Sequence, residues 1–426
     1  MINVLNKKNI IKYFNKNKSN IFLAILFVII INILLKSTIL YDFIWSSHTL
    51  FADHKMNISW LKWNYIGFDV FQWNYLGLDV SQDPNNYHPL RYGPIYLLLP
   101  FNLQLEIFYL NFLPYIIIAL LSFSITFLIS PKNKIEFIVL FLSIFNPSTL
   151  LLIERMNFDI FVLLITIFII FNRFYFINWI SIFFLSLTKF YPAILGINIL
   201  LENKNRKFLT LIFIILGISL LSILYIYFNF EKYQTIFEST HSKAGYHFLF
   251  SLKTIPKIMK YLFHWNYIVL VIIFLILFAL LTVYFYKLLK KNNLVDLIDI
   301  YSSETRLFLL GSYILLICYL IYSNWFYREI FLIILFPFLL KLYRVKNINF
   351  LTFFIYLIIF RYVFLFIYGY INVHDNITYI NDVRYFSEEF LFVLTLKGII
   401  DIFLMSFIGS ILFLVSKKFI YRLKFR

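Results

Sequence analysis

Four short polar segments interrupt a chain that is otherwise strongly apolar. They are YDFIWSS at 41–47, ERMNFDIFVLL at 154–164, LTKFYP at 187–192 and SNWFYREIF at 323–331. Each carries charged side chains beside a long apolar run, where a charge costs free energy unless it is paired or faces water. The candidate functional residues therefore lie in these segments.

The first segment places a carboxylate at the end of the first apolar run. Asp42 follows that run, with Lys36 a turn and a half before it. An ionisable side chain at the end of a membrane span is a functional candidate by default. The alternative is an ordinary loop carboxylate.

The second segment concentrates four polar side chains within six residues, after a helix break at Asn146-Pro147. Its polar members are Glu154, Arg155, Asn157 and Asp159. Such a group is costly near lipid unless its members satisfy each other or face water. It is either part of a site or a structural network in which Arg155 bridges Glu154 and Asp159.

The third and fourth segments supply cations. Lys189 has no acid close to it in sequence, and Pro192 ends the helix behind it. A cation at that depth favours an anionic partner such as a phosphate, and snorkelling to the interface is the alternative. Arg328 suits bidentate phosphate binding, with interface anchoring as its alternative, and we expect Glu329 to pair elsewhere.

The remaining charged residues form no recognisable metal or cofactor site. Metal assistance stays open, because the first loop has Asp53, Asp69, Asp79 and Asp83 but no tight acidic pair beside Asp42. Lys397 and Asp401 are spaced i,i+4 and predict a structural pair within the last span. The histidines lack metal-ligand spacing, and the zinc-protease, phosphate-loop, nucleophile-elbow and dinucleotide patterns are all missing. The net charge of +17 is spread over short clusters between apolar runs, which indicates membrane topology and not nucleic-acid binding.

The composition places these segments on membrane-spanning helices. Hydrophobic residues make up 62% of the chain and charged residues 14%, and runs of about 20 apolar residues recur along it. Because cytoplasmic loops collect Lys and Arg, alternation predicts about twelve transmembrane helices with both termini cytoplasmic. The predicted exterior segments are 41–106, 154–159, 189–192, 229–263, 322–329 and 370–389.

The predicted fold is therefore an all-α, multi-pass membrane protein with one polytopic domain over 1–426. We expect the first exterior loop, 41–106, to form short amphipathic helices on the bundle. Between 158 and 201, turns at Asn172 and Lys189 leave apolar segments of about 12 to 16 residues, which is shorter than a full span. Short helices buried among others, beside a protein-lined or wet cavity, are predicted there.

The first exterior loop contains a ten-residue unit written almost twice, WNYIGFDVFQ WNYLGLDVSQ, at 63–82. A period of ten is too short for the repeat architectures that stack supersecondary units. Its Trp and Tyr side chains favour the headgroup level of the membrane, with sugar binding as the alternative. The second copy, with Asp79 and then Asp83 and Pro84, is the stronger candidate for substrate contact.

Together these segments resemble the GT-C superfamily of membrane glycosyltransferases, in its bacterial branch of polyprenyl-phosphate-sugar-dependent α-mannosyltransferases. The resemblance covers roughly 21–340. It rests on Asp42 after the first span and on YHPLRYGPIYLLLPF at 87–101, which includes Tyr92 and resembles the family's Tyr-Gly-Pro segment. It also rests on ERMNFD, similar to the family's ERGNxD with Met156 in place of Gly, on LTKFYP followed by a basic loop, and on the Tyr327-Arg328 pair.

This resemblance implies a hexosyltransferase of the cell membrane with an exterior site. It would move a mannose-like sugar from a polyprenyl-phosphate donor to a lipid-linked or glycan acceptor, with inversion. The resemblance assigns Asp42 as the general base, while Lys189, Arg328 and Arg155 are the candidates for stabilising the leaving phosphate. Asp79, Asp83 and Tyr92 are then assigned to the acceptor side, and Glu154, Asn157 and Asp159 to polar support.

Two other functions fit the hydropathy. A polysaccharide polymerase or ligase acting on lipid-linked glycans would rely on exterior Arg and His side chains in place of an Asp after the first span. A lipid or solute transporter would show inverted repeats with paired broken helices, and no symmetry between the two halves of the sequence is apparent.

Overall fold

The chain folds into a bundle of helices. The computed structural model describes residues 7–44, 50–67, 70, 92–202, 208–240, 249–292, 298–321, 324–345, 349–374, 378–380 and 383–424. The α-helices are α1 Lys7–Leu35, α2 Ala52–Tyr65, α3 Leu103–Asn111, α4 Leu113–Ile129, α5 Lys134–Ile144, α6 Pro147–Arg155, α7 Asp159–Phe171, α8 Tyr175–Thr188, α9 Ile197–Glu202, α10 Phe208–Phe228, α11 Phe230–Thr240, α12 Thr254–Phe263, α13 Tyr267–Lys291, α14 Ser303–Ile321, α15 Phe336–Val345, α16 Asn349–His374 and α17 Glu388–Lys424.

Short irregular elements join these helices. Four 3₁₀ helices cover Thr38–Asp42, Pro94–Leu98, Tyr191–Gly196 and Phe326–Leu335. Two antiparallel pairings of two or three residues, β1 Leu249–Phe250 with β2 Asn324–Trp325 and β3 Thr378–Ile380 with β4 Val383–Tyr385, complete the described elements.

Several helices are suited to crossing a membrane. Among the described residues, six are long and apolar enough, and up to eight if each of two bent pairs counts as one span. The bent pairs are α3 with α4, at 44°, and the parts of α10 and α11 over Ile212–Phe228 and Phe230–Ile236, at 84°. These helices agree with the predicted multi-pass membrane protein, whereas the predicted count of about twelve spans is not confirmed in the described part of the chain.

Polar residues mark the helix boundaries. Pro147 cannot donate a backbone hydrogen bond, and α5 and α6 meet there within one span of 22 residues. The Asn146 side chain compensates: its Oδ1 accepts from Thr149 N at 3.1 Å, and its Nδ2 donates to Leu142 O at 2.8 Å. The break therefore leaves few unsatisfied backbone groups at membrane depth.

The predicted short segments between 158 and 201 are confirmed. Helices α7 and α8 have 13 and 14 residues, and Asn172 and Lys189 are their C-cap residues. The loop predicted to be the first exterior one contains α2, whose Ile58, Trp60 and Leu61 are buried against the bundle. This agrees with the short helices on the bundle that the sequence predicts for that loop.

The centre and the periphery of the bundle differ in burial. Helix α17 packs against α12, α13, α14 and α16, and 72% of its most apolar window is buried. Only 11% of the corresponding window of α13 is buried. The apolar outer surface of α13 is therefore suited to face lipid.

Loops predicted to lie on the same side contact each other. On the predicted exterior side, Phe51 N donates to Glu154 O at 2.7 Å, and β1 pairs with β2. On the opposite side, Asn20 Nδ2 donates to Ser130 Oγ at 2.8 Å, and Arg344 Nη2 donates to Ser130 O at 3.3 Å. These contacts agree with the predicted alternation of the loops between two ends.

Candidate functional site

Asp159 is the centre of a cluster of charged side chains at the predicted exterior end. It is the first residue of α7 and is fully buried. Its Oδ1 accepts from Lys189 Nζ and, at 2.5 Å, from the Tyr191 hydroxyl, and Arg328 Nε donates to Oδ2 at 3.4 Å. One carboxylate thus joins the ends of α7 and α8 to the 3₁₀ helix Phe326–Leu335.

A second carboxylate lies beside this centre. Asp53, in the first turn of α2, accepts from Arg155 through Nε at 3.0 Å and Nη2 at 2.5 Å, both on Oδ1. Asn157 Nδ2 donates to the other oxygen, Oδ2, at 2.6 Å, and Asn157 Oδ1 accepts from Asp159 N at 3.1 Å. Asn157 therefore couples the two carboxylates. We call Asp53, Arg155, Asn157, Asp159, Lys189, Tyr191 and Arg328 the Asp159 cluster.

The turn between α6 and α7 directs the cluster residues of this segment toward different partners. Met156 has φ 49° and ψ 49°, the left-handed conformation that a residue with a side chain adopts at a cost. Glycine adopts it freely, and glycine is the usual residue at this position in the family that the segment resembles. The conformation directs Arg155 and Asn157 to Asp53 on one side of the turn and leaves Asp159 to face Lys189.

Aromatic rings surround Lys189. Its Nζ lies 5.3 Å from the centroid of the Tyr92 ring, 5.7 Å from Phe158 and 5.9 Å from Tyr191. Close backbone contact sets this arrangement: Gly93 N donates to Thr188 O at 3.0 Å. A Cβ at Gly93 would lie 1.7 Å from Leu187 O. Only glycine fits this close approach, which fixes Tyr92 beside the end of α8.

The cations of this cluster are more exposed than its carboxylates. Arg155, Arg328 and Lys189 expose 25%, 22% and 13% of their side chains, whereas Asp53 and Asp159 expose 8% and 0%. Buried carboxylates therefore hold a rim of three cations that remains accessible. Guanidinium and ammonium groups held in this way are suited to bind phosphate or carboxylate.

Asp42 lies outside the Asp159 cluster, beside His374. It ends the 3₁₀ helix Thr38–Asp42, and its Oδ1 is 3.8 Å from His374 Nε2 at the end of α16. The main chain of Phe43 packs under Gly369, where a Cβ would lie 2.2 Å from Phe43 O. The Asp42 and His374 side chains are 53% and 40% exposed. Among the described residues, Asp42 thus lies beside His374 and forms no ion pair with Lys189 or Arg328.

Glu154 connects the surroundings of Asp42 with the Asp159 cluster. Its side chain is buried, and its charge contributes, after burial, to raising the pKa of Tyr41, the neighbour of Asp42. Glu154 is followed directly by Arg155 in the Asp159 cluster. Glu154, predicted as polar support, is therefore near Tyr41 on one side and adjacent in sequence to Arg155 of the Asp159 cluster on the other.

Most of the predicted site residues in the described part of the chain converge. Arg155, Asn157, Asp159, Lys189, Arg328 and Tyr92 come together, and Glu154 lies at the edge of the group. Asp79 and Asp83 lie outside the described residues. Within the described part of the chain, no group of three or more His, Cys, Asp or Glu side chains is arranged to hold a metal ion.

Two expectations about pairing need correction. Arg155 forms its ion pair with Asp53, and the cations on Asp159 are Lys189 and Arg328, so Arg155 does not bridge Glu154 and Asp159 in the predicted way. Lys189 has a carboxylate partner 30 residues earlier in the chain. Spacing along the sequence concealed both pairings because the partners lie on different helices.

A second charged network lies deeper in the bundle, and we call it the Glu329 network. Arg361 is 2.6 Å from Glu329 Oε1 through Nη2, and its Nε donates to Asp401 Oδ1 at 2.7 Å. Lys397 Nζ donates to Glu329 Oε1 at 3.1 Å and to Asp401 Oδ2 at 2.8 Å. The Lys397–Asp401 pair and the pairing of Glu329 elsewhere are confirmed.

Sequence reasoning missed three residues of these clusters. Arg361 lies within the apolar run LIIFRYVFLF at 357–366, and an arginine in a span is itself a signal for a buried partner. Tyr191 belongs to LTKFYP, but no pattern singles it out. Asp53 is only one of several acids in the first loop, and its partner Arg155 is 102 residues away.

No protein-family model, curated protein or solved structure matches this chain. The arrangement of its own residues therefore has to carry any functional assignment.

Proposed function

We propose that the protein is a membrane glycosyltransferase with a GT-C-like fold, which takes a hexose from a polyprenyl-phosphate donor. The observation that carries the proposal is the accessible rim of Arg155, Lys189 and Arg328, held by the buried carboxylates Asp53 and Asp159. These cations lie where the ends of several helices meet. A lipid phosphate whose tail lies between spans can reach such a position.

In this proposal the rim stabilises the leaving group. When the anomeric carbon–oxygen bond to phosphate breaks, the electron pair remains on the polyprenyl phosphate and negative charge develops there. Cations fixed beforehand by Asp159 and Asp53 stabilise this charge without reorganising during the reaction. Lys189 and Arg328 each donate to one oxygen of the Asp159 carboxylate, so this carboxylate fixes the positions of both cations.

Asp42 is the proposed general base. The acceptor hydroxyl oxygen forms the new bond to the anomeric carbon from the face opposite the phosphate, and its proton passes to the Asp42 carboxylate. Inversion of configuration follows from this geometry. His374 Nε2 lies 3.8 Å from Asp42 Oδ1, and both side chains are partly exposed. Tyr92, beside Lys189, is proposed to contact the sugar or acceptor, as are Asp79 and Asp83.

The proposed location is the cell membrane, with both termini cytoplasmic, the site on the exterior face and about twelve spans. The Lys- and Arg-rich clusters at the end opposite the Asp159 cluster support this orientation. The donor is proposed to be a mannose-like lipid-linked sugar and the acceptor a glycolipid or glycan. A lipid phosphate donor needs no nucleotide site.

A transporter is the second candidate, and the Glu329 network favours it. Buried charged side chains in membrane proteins also occur along ion and proton pathways, and three of the four members of this network, Arg361, Lys397 and Asp401, lie in the candidate spans α16 and α17. The two positive and two negative charges of the network balance, however, and each exposes 3% or less of its side chain. An assay of solute or proton flux in sealed liposomes separates the two functions.

The proposal is tested by sugar transfer with purified protein. We expect wild-type protein to transfer hexose from a polyprenyl-phosphate hexose to a glycolipid acceptor, and Asp42→Asn to lower the rate by about 10²- to 10⁴-fold, as for loss of a general base. Glu231→Gln is the matched control, because Glu231 is an exposed acid in a predicted exterior segment. Full activity of Asp42→Asn would remove Asp42 as the base.

A further inference from the structure

Helix α12 carries a basic stripe that the proposed reaction does not use. Lys253, Lys257, Lys260 and His264 recur at i, i+4, i+7 and i+11 along this helix and its two flanking residues. At 3.6 residues per turn these positions fall within an arc of about 60°. The side chains therefore form one row along α12.

The opposite face of α12 fixes its orientation. Thr254, Ile255 and Ile258 are buried, and Ile255 packs against α17 at Gly398. A Cβ at Gly398 would lie 2.8 Å from Ile255 Cγ1, so the two helices are in close contact. Since the inner face is packed in this way, the basic row is held on the outer side of the helix.

Within the part of the chain that the structure describes, no carboxylate forms an ion pair with this row. The ion pairs formed among the described residues include none of the three lysines. Lys253 Nζ donates to Ile321 O at 2.8 Å, and Lys260 Nζ lies 5.9 Å from the Tyr267 ring centroid. Burial, and then repulsion by Lys253, lower the pKa of Lys257. A nearby anion would relieve this repulsion.

The position of α12 indicates which anion is available. Phe263 and Trp265, just beyond the row, are more than half exposed, and their ring centroids are 5.3 Å apart. Asn266 then caps α13, the most exposed of the six spans. Exposed aromatic side chains at the end of a lipid-facing span lie at the level of the headgroups.

We propose that the row formed by Lys253, Lys257 and Lys260 on α12 binds the phosphate headgroups of anionic bilayer lipids at this end of the bundle. Topology alone does not account for the row, because Lys and Arg concentrate on the cytoplasmic side and 229–263 is a predicted exterior segment. Bound headgroups would hold α12 against the membrane surface, beside the long central helix α17.

The test measures lipid binding by the purified full-length chain. Native mass spectrometry gives the affinity for phosphatidylglycerol and for phosphatidylcholine with the same acyl chains. A lysine near an anionic surface contributes a factor of about five. Lys257→Gln with Lys260→Gln should therefore weaken phosphatidylglycerol binding by about tenfold or more and leave phosphatidylcholine binding unchanged. Lys257→Arg with Lys260→Arg should retain the wild-type preference.

Lys290→Gln with Lys291→Gln is the matched control, because it removes the same charge from the opposite end of α13. Phosphatidylglycerol binding that is unchanged in the Lys257/Lys260 double variant, or equally weakened in the control, would overturn the proposal. So would equal wild-type affinity for the two lipids. If the Lys257/Lys260 double variant lost undecaprenyl phosphate binding but retained phosphatidylglycerol binding, the row would bind a substrate and not bilayer lipids.

Discussion

Two adjacent residues of one segment belong to two different charged clusters. These clusters differ in exposure and in charge balance. Arg328 joins the Asp159 cluster, whereas Glu329 joins the Glu329 network. The cations of the Asp159 cluster are 13% to 25% exposed, while every member of the Glu329 network is 3% exposed or less. The first cluster is partly exposed, and the second is sealed.

This contrast shows that charge at membrane depth serves two purposes in one fold. The Glu329 network joins the 3₁₀ helix Phe326–Leu335 to α16 and α17, and its charges cancel. It therefore fixes the segment that presents Arg328. Buried ion pairs of this kind add little net stability over apolar packing, but losing one partner is costly.

Removing one partner of the sealed network should give the largest effect on stability. Arg361→Met leaves Glu329 and Asp401 with only Lys397 between them, and we expect a loss of about 3–5 kcal/mol. Thermal unfolding in detergent measures it. Replacing all four charged residues with apolar ones of similar size should recover much of the loss. Wild-type stability of Arg361→Met would contradict a bracing role.

A smaller loss of stability is expected from changes at Met156, in the turn that shapes the Asp159 cluster. Met156 is buried and has a left-handed backbone, which a side chain branched at Cβ adopts poorly. Met156→Ile should therefore be less stable than Met156→Leu by about 1–2 kcal/mol. The two replacements have the same volume, so packing is matched. Equal unfolding temperatures would show that the turn is not strained.

The sequence predicted the helical, multi-pass character and the breaks at Pro147, Asn172 and Lys189, because hydrophobic run length and proline act locally. The polar segments were also identified correctly as the places where charged side chains gather. Three of the four segments, at 154–159, 189–192 and 322–329, contribute to the Asp159 cluster, and the prediction placed these three on the same side of the membrane. Asp42, in the first segment, lies outside the cluster.

The pairing of individual charges could not be predicted in the same way. Asp53 and Arg155 are 102 residues apart, and Arg361 and Asp401 are 40 apart, on separate helices. Such pairs depend on how helices rotate and pack, which charge patterns along the chain do not encode. Asp42 shows the same limit: its contact with His374 depends on how Phe43 packs under Gly369 of α16.

Binding of undecaprenyl phosphate to wild-type protein and to Arg328→Gln tests most directly whether the Asp159 cluster is a phosphate site. Arg306→Gln is the control, since Arg306 is a partly buried arginine on Asn198 at the opposite end of α14. Loss of a charge-assisted hydrogen bond should weaken binding by about tenfold or more in Arg328→Gln, and Arg306→Gln should bind as wild type does. Equal affinity of all three proteins would contradict a phosphate-binding role for the cluster.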